Sequence, residues 1–452
     1  MCLTTKSISL PTQLHHSTKR KHMKSRNRKL IALGLGTALL AGALSGCSGG
    51  SSSSGVTTIN WWTRVGDDRA AFAKKFNDTH TDVQVKVTQV SDDQYVNKVG
   101  TGVRSNNGPD VLDFDVANSP LFAATGVLAD VSDKVNGLDF ARDLNPGMSK
   151  LGTYDNKTYS VPFIAGPSIL LYNKTLFKKA GIQTDTPPAT WAGIEEDAKK
   201  VRALGDDIYG FDIPGACGGC LSFAAQPLIW ASGGTTMTAA SPDQTTTYST
   251  SPQVADSLKF YQKLWQDGVV NPAGQTEAGA TWGADWNAGK VGILLAGSWL
   301  VSPAEKGGSE VGYGPIPNAD GSNFSTFAGG DNIGVIASSK NPDAAWEFAS
   351  WLLDKDQQAS IADTGSSPVR SDLLTADFAA KYPLVALQLQ VSAKSDAPDS
   401  MATNALQLSA TSPWLAAFQS IVYNGADVNA TLTKADADSA PLIKQAYEQA
   451  GQ

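Results

Sequence analysis

Residues 56–87, VTTINWWTRVGDDRAAFAKKFNDTHTDVQVKV, read as strand, helix, strand. Val56 to Trp62 is the first strand, Phe72 and Phe76 share one face of an amphipathic stretch, and Val83, Val85 and Val87 recur at period two. That alternation is the unit from which α/β folds are built. It continues along most of the chain. Ser251-Pro252 opens a helix with Val254, Leu258, Tyr261 and Trp265 on one stripe, closed by Gly268. Thr190 caps another, with Ile194, Ala198 and Val201 at helical spacing and Gly205 at its end, and Asn341-Pro342 opens a third. These stripes are core positions. From about Ala376 onward the sequence reads as mostly helical, and no internal repeat is found.

Ahead of this region the first 46 residues carry eight Lys and Arg and no Asp or Glu. The basic stretch to Lys29 runs into an apolar segment, Leu30 to Leu44, too short to span a bilayer but suited to a signal peptide. Residues 1–46 are therefore expected to be a signal peptide, with Met23 the natural start. Leu44-Ser45-Gly46-Cys47 resembles the lipobox at which bacterial lipoproteins are cleaved and lipidated, here on Cys47. Residues 47–55 then form the lipidated cysteine and a tether, SGGSSSSG, whose flexible coil reaches roughly 15 Å.

Of the 36 Lys and Arg, eight lie in this leader, which leaves 28 against 43 Asp and Glu, a mature charge of about −15. Such a surface does not suit nucleic acid. It is also repelled by anionic lipid, so attachment to the membrane falls to the lipid anchor. About 400 mature residues exceed one ordinary core, and two lobes are expected. Besides Cys47 the mature chain holds only Cys217 and Cys220. In an exported protein the favoured reading is a loop-closing disulfide. A redox-active pair is less favoured because no helix opening is evident there, and a metal site less again, with His80 the sole mature histidine.

Gly108-Pro109-Asp110-Val111-Leu112 and Gly126-Val127-Leu128-Ala129-Asp130 begin a series of further motifs. It continues with Val161-Pro162, Leu170-Leu171-Tyr172-Asn173-Lys174, Ala180-Gly181 and Pro187-Pro188-Ala189-Thr190-Trp191. Leu228-Ile229-Trp230, Gly233-Gly234, Gly289-Lys290-Val291-Gly292, Gly297-Ser298-Trp299, Gly329-Gly330-Asp331 and Ala344-Ala345-Trp346-Glu347-Phe348 follow. In number, order and spacing this series resembles the extracellular solute-binding proteins of bacterial carbohydrate importers, the maltodextrin-binding proteins among them. The resemblance implies an α/β fold of the periplasmic-binding-protein kind: two discontinuous lobes, a hinge and an interlobe ligand cleft. The first lobe is placed at 56–163 plus 316–352 and the second at 164–315 plus 353–452. It further implies a monomer with no cofactor and no catalysis, anchored by lipid to the outer face of the cell membrane. Its partners would be a carbohydrate and the permease subunits of an ATP-driven importer.

A sugar offers apolar ring faces and a belt of hydroxyls, so its site needs aromatic platforms beside planar polar groups. Of the 11 Trp, Trp191, Trp265, Trp346 and Trp351 fall in helical patterns and are expected to pack. Trp299 follows the strand-like Ile293 to Leu295, where the resemblance implies a stacking aromatic, and Trp414 at a helix start matches a second such platform. The turn after the first strand supplies Trp62, Arg64 and Asp67 at a cleft edge. Asp67 serves equally well as a helix cap. Asp115 and Asn118 follow the third strand in the same situation. Gly330 and Asp331 form a glycine-rich turn that either approaches ligand or is merely tight. Phe223 falls where the maltodextrin binders have an aromatic, and Trp282 is a further candidate. Gly166 and Leu221 stand where those proteins have acidic contacts, so the ligand is not expected to be maltodextrin.

Two other readings stand beside this one. A lipid-anchored glycoside hydrolase would use aromatics and a carboxylate pair, and a protein of the same fold would serve equally to bind a solute other than sugar. Serine–histidine chemistry is disfavoured with His80 alone in a polar turn. Asp436 and Asp438 lack the glycine and distal Glu of a calcium loop.

Overall fold

The structure, a computed structural model, describes residues 55–64, 67–105 and 107–451, with the backbone alone described at Asp67, Asp68, Asp92 and Asp93. The leader, Cys47 and the tether up to Ser54 lie outside the described residues.

Strand Thr57–Thr63 buries Ile59, Trp61 and Thr63 on one face. Helix Asp67–Thr79 lays Phe72 and Phe76 on that face, and Val83–Gln89 pairs in parallel with the first strand, Val83 opposite Thr57. Five strands form the sheet, in the order Val83–Gln89, Thr57–Thr63, Val111–Asp115, Gly330–Val335 and Val161–Ala165. The first three are mutually parallel, and Gly330–Val335 runs antiparallel to both its neighbours. Alternation puts Val111, Phe163 and Ile333 into the core under Phe76 and Phe348, while Leu112 and Phe114 pack on the other face with Tyr95 and Phe122. A strand covered on both sides needs apolar residues at nearly every position, as in Val161–Ala165, which is buried throughout, whereas Val83–Gln89 at the sheet edge begins with the period-two alternation of a half-covered strand.

The second sheet obeys the same rule. Its order is Val311–Gly314, Ile169–Asn173, Val291–Ala296 and Tyr209–Phe211. Leu170, Ile293 and Leu295 face the helices Trp191–Arg202, Gly218–Ala231 and Pro252–Gln266, and Ile169, Leu171 and Leu294 face Trp286 and Leu300. Thr190 caps its helix, its Oγ1 accepting from the Gly193 N–H at 3.0 Å, and Gly268 takes φ +66° after the helix that ends at Gln266. These two sheets are the centres of two lobes.

A small third sheet, Ile316–Pro317, Phe324–Phe327 and Ser395–Asp396, lies where the chain passes between them. One lobe boundary differs from the sequence reading, which puts residues from 353 onward in the second lobe. Leu353, Ile361 and Val369 lie in the first lobe's core, and the Gln358 amide donates to the Phe163 carbonyl at 3.1 Å. The reason is reach. Only Leu352 to Asp354 separate helix Pro342–Trp351 from helix Lys355–Ile361, and three residues span at most about 11 Å.

Candidate functional site

Arg64 directly follows the first strand, Asp115 ends the third, and Asp331 is the second residue of Gly330–Val335. All three come from strand ends at one rim of the first sheet. The Arg64 guanidinium reaches Asp331 Oδ1 at 2.7 Å through Nε and 2.6 Å through Nη2, and stands 3.4 Å from Asp115 Oδ2. Beneath it, Arg69 donates to Asp331 Oδ2 at 2.5 Å and to Asp113 Oδ2 at 2.7 Å. The result is an alternating chain, Asp115, Arg64, Asp331, Arg69, Asp113, running from the rim into the interior. Asp331 is 4 % exposed and Asp113 is 0 % exposed. Burial pushes the Asp113 carboxyl up to about 7, against the opposing pull of Arg69.

Facing these charges is an aromatic wall from the second lobe. Phe223 lies in helix Gly218–Ala231 and Trp299 in the short turn Ser298–Leu300, with ring centroids 5.3 Å apart. Trp282 stands 6.1 Å from Trp299, and Phe327, from the small third sheet, 5.5 Å from Phe223. Trp299 remains 51 % exposed, unusual for so large an apolar ring. Between the charges and the rings is a cavity of about 450 Å³. Rings tilted or edge-on to one another on one side and fixed donors and acceptors on the other suit a ligand with apolar faces and a belt of hydroxyls.

Of the residues singled out on sequence, Arg64, Asp115, Phe223, Trp282, Trp299 and Gly330 line this cavity together. Gly330 opens a strand, not a turn. Its φ is +123°, and a Cβ there would fall 2.1 Å from the Ile164 carbonyl oxygen, so no other residue fits. Asp331 lies under Arg64 and holds it, instead of presenting itself to a ligand. Trp62 points away from the cavity. Its ring packs over Gly102 and the Leu112 core, with the Lys98 ammonium 5.3 Å above it. Asn118 precedes helix Ser119–Ala124, makes no side-chain cap and is not among the residues lining the cavity. Asp67 begins its helix, and its side chain lies outside the described residues.

Trp414 is a correction. It is 0 % exposed in the second lobe's core, its ring 5.6 Å from Tyr248, because helix Pro413–Val422 turns its first residues inward. The other correction concerns Cys217 and Cys220. They are disulfide-bonded, yet the pair does open a helix: Cys217 is the N-cap of Gly218–Ala231, its Sγ accepting from the Cys220 N–H at 3.1 Å. Gly219 and Cys220 line the cavity, as do Phe327 and Leu408, none of which the sequence reading places there. Phe327, two residues before Gly329-Gly330, carries the one usable signal.

Residues 71–387 match the family model described as bacterial extracellular solute-binding protein. A Brucella abortus binding protein is 29 % identical over 227 residues, 50 % of this chain and 54 % of that protein, so the chain spans about half the length of these first curated relatives. The diacetylchitobiose-binding protein of Streptomyces coelicolor is 28 % identical over 359 residues, 74 % of this chain and 80 % of that protein. A periplasmic sn-glycerol-3-phosphate-binding protein of Brucella melitensis is 25 % identical over 368 residues, 77 % and 83 % of the two chains. In fold, the cyclic α-maltosyl-1,6-maltose-binding protein of Arthrobacter globiformis superposes with a TM-score of 0.75 at 24 % identity, covering 86 % of this chain and all of that one.

Proposed function

Because the chain belongs to the bacterial extracellular solute-binding proteins, we propose that it binds a neutral sugar in the cleft between its lobes and passes it to the permease of an ATP-driven importer. The observation that carries this reading is the aromatic wall of Phe223, Trp282, Trp299 and Phe327 across from Arg64 and Asp115. Sugar rings stack on such a wall and their hydroxyls bond to the opposite rim. A phosphate ester fits it less well. The Arg64 charge is already met by Asp331 and Asp115, so an anionic head would face the two carboxylates as well as the guanidinium. The ligand is bound and released intact, and the lobes close on it about the small sheet that carries Phe327.

Calorimetry against mono- and oligosaccharides, with sn-glycerol 3-phosphate in the same series, tests the reading. A neutral saccharide is expected to be the tightest ligand and to be recovered unchanged. Tightest binding of the phosphate ester, or cleavage of the sugar, would overturn it.

The lipobox-like Leu44 to Cys47 supports an anchor at the outer face of the membrane. Cys47→Ala is therefore expected to release the protein into the soluble fraction with its sugar affinity unchanged, since the tether separates lipid from cleft. Retention on salt-washed membranes would count against the anchor.

A further inference from the structure

We propose that the Cys217–Cys220 disulfide is a positioning element of the cleft, which sets the place of Trp282 against the ligand. The inference rests on the reading of this cavity as a sugar site.

Three segments that line the cavity meet at this bond. The first is the start of helix Gly218–Ala231, which contributes Gly219, Cys220 and, one turn on, Phe223. The second is the loop that leads to Trp282. Gly279 in that loop has φ +107°, and a Cβ there would stand 3.2 Å from Cys217 Sγ and 3.3 Å from Cys220 Sγ, so its backbone lies directly on the two sulfurs. The third is the turn Asn404–Leu408, against which Gly218 packs so closely that a Cβ would fall 2.7 Å from the Leu408 carbonyl oxygen.

The path from the sulfurs to Trp282 is short and fixed. Glu277 accepts from the N–H groups of Gly279 at 2.6 Å and Thr281 at 3.1 Å, and the Trp282 N–H donates to the Gly279 carbonyl at 3.4 Å. The base of the loop is joined to the residues before Cys217 by the Gly215 N–H on Gly274 O at 2.8 Å and the Ala216 N–H on Glu277 O at 2.9 Å. The cross-link holds both sulfurs at one place against Gly279. Without it each side chain is free to take another rotamer, and Gly279 loses that fixed support. Gly279 is in turn hydrogen-bonded to Glu277 and Trp282. Loss of the cross-link is thus transmitted to an aromatic face of the site, while the closed loop is too small to matter much for global stability.

The test combines Cys217→Ser with Cys220→Ser, the first of which keeps a side-chain oxygen to cap the helix. Sugar affinity is measured by calorimetry in this variant, in Trp282→Ala and in the triple variant, with melting curves for each. The cross-link-free protein is expected to melt close to the wild type and bind its best sugar at least fivefold more weakly. In the Trp282→Ala background, losing the cross-link should change affinity less than twofold. A dithiol reductant provides the same comparison without mutation. It closes to its own cyclic disulfide as Cys217 and Cys220 take up two electrons and two protons, and reoxidation should restore affinity. Unchanged affinity after removal of the bond, or an equal loss with and without Trp282, overturns the inference alone. A wild type that binds no sugar overturns the reading of the cleft and the inference with it.

Discussion

Trp414→Ala should destabilise the protein by about 3 to 5 kcal/mol, the range for removing a fully buried large aromatic, and leave its sugar affinity within about twofold. Trp299→Ala should do the reverse: a small change in melting, and a loss of about 1.4 to 3 kcal/mol of binding, tenfold or more for the tightest sugar. The contrast follows from what surrounds each ring. Trp414 fills the second lobe's core beside Tyr248, among Leu415, Phe418 and Leu432. Its deletion leaves a cavity that close-packed neighbours cannot collapse to fill. Trp299 has solvent on much of its surface and Phe223 and Trp282 behind it. Its deletion opens no core cavity but removes the face a sugar would cover. Denaturant unfolding and calorimetry on both variants decide the matter. A Trp299→Ala protein that melts early yet binds normally would show that the ring is structural and that the cleft lies elsewhere.

The same two tryptophans show where sequence reasoning reaches and where it stops. Period-two and helical spacing find the buried faces, because a side chain's direction along a strand or helix is set by local geometry. Phe72, Phe76, Ile194, Ala198, Val201, Val254, Leu258 and Tyr261 are all buried where their spacing puts them. Position at or just after a strand end likewise brings Arg64, Asp115 and Trp299 to one cavity. Spacing cannot tell what covers the face it defines. A tryptophan after Ser-Pro at a helix start looks alike whether the helix end points at a cleft or into a core, and Trp414 misleads for that reason. Cys217 escapes differently. Two glycines immediately after it are poor helix formers, so the start of Gly218–Ala231 is invisible until tertiary contacts impose it. The network beneath Arg64 has no local signal at all, since its ion pairs join residues 44, 262 and 267 positions apart.

That network carries the other large effect. Asp331→Ala should lower stability by about 3 to 5 kcal/mol, because it removes short charge-assisted bonds to two guanidinium groups at once, each worth about 1.5 to 3 kcal/mol. Asp331 is shared by the two guanidinium groups, accepting from Arg64 on Oδ1 and from Arg69 on Oδ2. Without it, Arg69, 3 % exposed, keeps Asp113 as its paired carboxylate, and Arg64 keeps the longer 3.4 Å contact to Asp115. Asp331→Asn retains the shape and one acceptor oxygen but not the charge, so it should fall between the alanine variant and the wild type. Asp115→Ala is the control. Its side chain is 43 % exposed, and exposed pairs contribute at most about 1 kcal/mol, so it should alter sugar affinity with little change in unfolding. Asp331→Ala should also weaken the sugar, since Arg64 is then no longer held at the rim by two short bonds, and the two losses can be read separately by urea titration and calorimetry. An Asp331→Ala protein that unfolds at the wild-type urea concentration would mean that the buried chain of charges is relaxed by water or by rearrangement. Arg64 would then owe its position to something other than Asp331.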